Sequence, residues 1–76
     1  MMPQEILDAL YVELERLYGK AYADACTLYY RRSWFYASLP KTTKSGRLVE
    51  DPYARPFRKA DMLSWLEELR TLQPKV

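Results

Sequence analysis

The stretch "YYRRSWFYASLP", residues 29–40, sets five aromatic rings and two arginines within the eight residues that begin at Tyr29. Whether it is read as helix or as strand decides the fold. Between Lys20 and Leu39 there is neither glycine nor proline, and alanine is frequent early, so a long helix and an all-α three-helix arrangement form the alternative. Dense aromatics beside threonine and cysteine suit a pleated surface better. The reading adopted is an antiparallel β-hairpin: one strand over about residues 25–30, another over about 34–39, and a turn within 31–33.

The register of this hairpin decides which rings face inward. A two-residue turn at Arg31 and Arg32 groups Cys26, Leu28, Tyr30, Phe35, Ala37 and Leu39 on one face, with Thr27, Tyr29, Trp34 and Tyr36 opposite. A three-residue turn, Arg31 to Ser33, groups Cys26, Leu28, Tyr30, Trp34 and Tyr36 against Thr27, Tyr29, Phe35, Ala37 and Leu39. The shorter turn asks arginine for a positive φ, which an L side chain resists, and the longer turn is therefore preferred. In either register both faces of the ribbon are aromatic. Two helices cover one face of so small a sheet and leave the other open, and an open aromatic face marks an interface.

On either side of this segment lie amphipathic helices. In "PQEILDALYVELERLYG", Ile6, Leu7, Leu10, Leu14, Leu17 and Tyr18 form one stripe. Pro3 suits the first turn, early acids favour the helix dipole, and Gly19 ends the helix with a left-handed residue. In "RKADMLSWLEELRTLQP", Met62, Trp65, Leu66, Leu69 and Leu72 share a face with Leu63 on its flank; Asp61 caps the start, or Pro56 occupies an earlier first turn, and Pro74 is the stop. Both stripes read as core, Trp65 included. The connection "PKTTKSGRLVEDPYARP" holds three prolines and one glycine; it reads as a solvated loop in which "RLVE" offers a short third strand. The expected fold is thus a small single α+β domain: N-terminal helix, antiparallel hairpin, C-terminal helix.

At 76 residues such a domain has a thin core. Chains of this size commonly add a disulfide, a metal or a second copy of themselves. The single cysteine, Cys26, forms no internal disulfide, and without histidine or a cysteine pair there is no zinc site of the usual kind, so no metal or other cofactor is expected. Good helix packing or self-association is what remains. The N-terminal residues lack a basic start and an unbroken apolar run, so neither a signal peptide nor a membrane span is expected, and a lone thiol fits the cytoplasm.

Chemistry is sparse. With no histidine, the Ser–His and Cys–His nucleophile arrangements are excluded within this chain, and Cys26 among apolar residues reads as a small hydrophobe. Glu50–Asp51 are adjacent in a loop and Glu67–Glu68 on a helix, where neighbours point in different directions; both pairs read as solvated charge. "TTKSG" lacks the glycine spacing and lysine–hydroxyl ending of a phosphate loop. No enzyme activity and no small-molecule substrate are inferred.

Charge is uneven: residues 1–19 carry a net −3, residues 20–59 a net +6 and residues 60–76 a net −1. Within the basic middle, Tyr29, Arg31, Arg32, Trp34 and Tyr36 are the candidate partner-binding residues, because Tyr, Trp and Arg are enriched at protein interfaces. Lys41, Lys44, Arg47, Arg55, Arg58 and Lys59 are candidate anion contacts; if they gather near the hairpin, cations and rings together form a single-stranded nucleic-acid site, although no RNA-recognition or KH signature is present. The alternative for the arginines at the tip is plain solvation. The function expected is a non-catalytic interaction module that associates with itself or another protein, with nucleic-acid binding as the second reading.

Overall fold

In the computed structural model, which describes residues 1–74, helix α1 spans Pro3–Tyr18 and buries Ile6, Leu7, Leu10, Leu14 and Leu17. Tyr18, at the end of the predicted stripe, is instead exposed. Glu5 accepts the backbone N–H of Met2 at 2.9 Å, which satisfies a donor ahead of the first turn. Gly19 donates its N–H to the Glu15 carbonyl at 2.8 Å and stops the helix at φ 93°, ψ 163°. Those angles lie outside the left-handed well, in a region essentially reserved for glycine. A Cβ at Gly19 would meet nothing within 4 Å, so Gly19→Ala is expected to cost about 1–3 kcal/mol through backbone strain alone. The check is a urea midpoint that falls with an unchanged slope; an unmoved midpoint would show that the turn relaxes freely.

Beyond Gly19 a second helix, α2, spans Lys20–Ala25 and buries Ala23 against α1. The first strand, expected from residue 25, therefore starts later. Alternating alanines favour helix, and the Lys20 Nζ reaches the Asp24 carboxylate at 2.9 Å along one helical turn.

Strand β1, Thr27–Arg31, pairs antiparallel with β2, Trp34–Ser38, in the order Thr27–Ser38, Leu28–Ala37, Tyr29–Tyr36, Tyr30–Phe35, Arg31–Trp34. The turn is Arg32–Ser33, and both residues adopt positive φ, 50° and 69°. The preference for a three-residue turn is thus overturned. The grouping of side chains is that of the short-turn reading, displaced by one residue along the tip. A positive φ costs about 1–2 kcal/mol for each L residue. The longer turn would have put Leu28 and Phe35 on opposite faces, and burying such side chains stabilises by about 1.5–3 kcal/mol each. A one-residue slip moves the whole apolar set to the wrong side, so burial prevails over turn strain.

After Pro40 the chain forms a separate two-stranded ribbon, β3 (Lys41–Thr42) with β4 (Leu48–Val49). "RLVE" does hold a short strand, but it lies outside the main sheet. The hydroxyls of "TTKSG" serve its turn: Thr43 Oγ1 accepts the Arg47 N–H at 3.1 Å and lies 3.0 Å from Ser45 Oγ. The third strand of the main sheet is β5, Arg55–Phe57, which pairs with β2 and gives the order β1–β2–β5. Pro56 was expected in a loop or a first helical turn. It stands in β5 opposite Tyr36, and an edge position is where a strand tolerates the missing N–H.

The last helix, α3, spans Lys59–Thr71 and buries Met62, Leu66 and Leu69; Trp65 and Leu63 are half-buried, and Leu72 falls past its end and is exposed. Asp61 caps from the third helical position, accepting the Arg58 N–H at 3.2 Å. At the other end Arg16 Nη2 donates to the Leu69 carbonyl at 3.0 Å, tying α1 to the closing turn of α3. α1 and α3 pack together and onto one face of the sheet through Phe35 and Ala37, which complete the core.

Candidate interaction surface

The core gathers Leu28, Phe35, Ala37 and Phe57 from the sheet but none of Tyr29, Trp34 or Tyr36. Those three belong to the opposite, outer face, built as rows across the strands. Tyr29 and Tyr36 stack with centroids 4.8 Å apart and planes 13° from parallel, with Pro56 next in the row. Arg31 stands opposite Trp34, and Arg58, just past β5, lays its guanidinium 4.1 Å from the Trp34 ring centroid. Thr27 and Ser38 form the last row. Tyr29, Arg31 and Pro56 are exposed and Trp34 and Tyr36 half-buried. The face thus carries rings and two guanidinium groups, and no carboxylate stands in any of its rows. Arg32 sits at the tip beside it.

The remaining cations divide between the two ends of the hairpin. Arg31, Arg32, Arg58 and Lys59 lie at the tip end, where β2 begins. Lys41, Lys44 and Arg47 belong to the β3–β4 ribbon, which follows the far end of β2, about 16 Å away along a five-residue strand. Lys41 stands 3.9 Å from Asp51. Arg55 pairs across from Ala37 and lines the inner side. The predicted anion contacts therefore do not form one patch.

Among the described residues, hollows lie beside the sheet. One, about 680 Å³, is an open groove between the sheet and the start of α3, lined by Leu39, Phe57, Met62, Trp65, Arg55 and Asp61. Sequence reasoning missed it because it depends on β5. Two others, about 430 and 260 Å³, run between α1 and β1 and share Gln4, Leu7 and Leu28. The first reaches Pro3 and Tyr30; the second reaches Asp8, Asp24 and Cys26.

Around Asp24 the Tyr11 hydroxyl donates to one carboxylate oxygen and Lys20 Nζ to the other. These two bonds hold the Asp24 carboxyl below its ordinary range. The same carboxylate raises both Tyr11 and Lys20. Burial pushes the Cys26 thiol up to about 11. Alkylation of Cys26 at pH 8 is accordingly expected to run about 100-fold slower in the folded protein than in denaturant, because only the thiolate reacts. Equal rates would place the thiol in open water. Among the described residues no group of histidine, cysteine, aspartate and glutamate has metal-binding geometry, and no helix is long and apolar enough to cross a membrane.

Comparison with models of known families, with curated proteins and with solved structures finds no match for this chain.

Proposed function

We propose that this chain is a non-catalytic interaction module that associates with a second copy of itself through the hairpin. One observation carries the reading: no helix or strand among the described residues covers the outer face of the hairpin, which holds Tyr29, Trp34 and Tyr36 outside the core, and β1 stands at a sheet border. A core this small, with Cys26 free rather than bridged, gains stability from a partner. The absence of histidine and the raised Cys26 thiol leave few groups suited to proton transfer or attack, which supports the non-catalytic part. The lone thiol fits the reducing cytoplasm. Light scattering over a micromolar concentration series is the test. The expected result is a species of at least twice the chain mass; a monomer throughout the series overturns the reading.

A specific observation favours a second reading, binding of single-stranded nucleic acid: the row Arg31–Trp34–Arg58 combines a ring with two cations and no acid. That reading expects binding to a mixed-sequence oligonucleotide that weakens steeply with salt. It also expects Trp34→Ala to weaken that binding by about 1–3 kcal/mol, the worth of one stacked base, while the far-UV spectrum stays unchanged. No binding at low salt removes it.

A further inference from the structure

We propose that two copies of this chain join along the open edge of β1, antiparallel about Tyr29, into one continuous six-stranded sheet. The proposal rests on the self-association reading but places the contact at the border of the hairpin rather than on its outer face.

The backbone supplies the first argument. A two-residue hairpin closes on a hydrogen-bonded pair, here Arg31 and Trp34, and such pairs alternate with unbonded ones. Arg31, Tyr29 and Thr27 therefore bond to β2, while Leu28 and Tyr30 turn their N–H and C=O groups to the open side. In an antiparallel second β1 centred on Tyr29, Leu28 of each copy meets Tyr30 of the other. All of these outward groups then pair, giving four new hydrogen bonds in a register the sequence makes self-complementary.

The hollow beside this edge fits the same register. Inward-facing side chains of the second strand enter the trough between α1 and β1. Its Tyr30 comes beside Leu28 at the apolar end near Leu7 and Pro3. Its Arg32 arrives opposite Cys26, at the end that holds Asp8 and Asp24, two carboxylates against the single ammonium of Lys20. The basic tip of each copy thus meets the acidic end of the other. Face-to-face association offers no such match, because the rows of the outer face hold Arg31 and Arg58 and no carboxylate to meet them.

The edge carries one charge, Arg31 at its tip end, and no other block. β1 has no proline and an unbroken register, and among the described residues no strand lies on its far side; natural edges without a partner usually carry such a block.

The test combines native mass with two kinds of variant. Tyr30→Pro deletes an outward donor and leaves the β1–β2 bonds whole. It is expected to raise the dimer dissociation constant about 100-fold with an unchanged far-UV spectrum, since each copy loses a bond and strands a carbonyl. In a Cys26→Ala background, Tyr29→Cys sits at an unbonded antiparallel pair with Cα atoms about 4.5 Å apart, within disulfide reach, and is expected to cross-link fully under mild oxidation. Tyr36→Cys, three strand spacings or about 14 Å from its counterpart, is expected to stay uncross-linked. A dimer that Tyr30→Pro leaves intact, or that cross-links through Tyr36→Cys and not Tyr29→Cys, overturns the edge while preserving self-association. A monomer at every concentration overturns both.

Discussion

Phe35→Ala is expected to cost about 3–5 kcal/mol, the range for deleting a buried aromatic side chain, and to leave the chain largely unfolded at 37 °C. Phe35 is 2% exposed and occupies the middle strand of the sheet, across from Tyr30 on one side and Phe57 on the other. Its ring is tilted against Tyr30 at 4.8 Å and faces the helices within the core. The loss would thus open a cavity where both strand pairings and the helix layer meet. A domain holds only about 5–15 kcal/mol in total, and a small one sits near the lower end. Thermal melting followed by circular dichroism checks the result: each kcal/mol moves the midpoint of a domain this size by about 4–8 °C. A shift under about 5 °C would mean that neighbouring side chains collapse into the space.

Leu66→Ala is expected to cost about 2–5 kcal/mol. Leu66 is 2% exposed in the middle of α3, and that helix is held to the fold mainly by its Met62–Leu66–Leu69 stripe against α1 and the sheet. The substitution keeps helix propensity, so the whole loss comes from packing. Denaturant unfolding with an unchanged slope and a lower midpoint is the expected record. A loss below 1 kcal/mol would show that α3 is docked by its ends, through Arg16 on the Leu69 carbonyl, rather than by its apolar face.

Periodicity made much of this fold legible. The stripes of α1 and α3 name most of their buried residues, missing at the ends, where Tyr18 and Leu72 turn to water, and at Trp65, which is half-buried beside the open groove. The density of rings in residues 29–36 pointed to strands, and the two strands are there. The tip was harder, because local preference at Arg32 and Ser33 disagrees with the packing of Phe35, and the disagreement is settled only once the helices are in place. β5 was out of reach for a related reason. "RPF" has no alternating pattern of its own and becomes a strand by lying along β2. The outer-face group of Tyr29, Trp34 and Tyr36 belongs to the short-turn register that the turn preference set aside, and Arg58 over Trp34 required knowing where β5 ends.

Pro56 gives the sheet a direction. With its ring on the β5 border and its N–H absent, that side cannot accept another strand as β1 can. In a sheet joined through β1, growth by strand addition would halt after a single two-fold step, since both outer borders would then bear proline. A dimer of that kind would be insulated from filament formation by one imino acid placed far from the contact it limits.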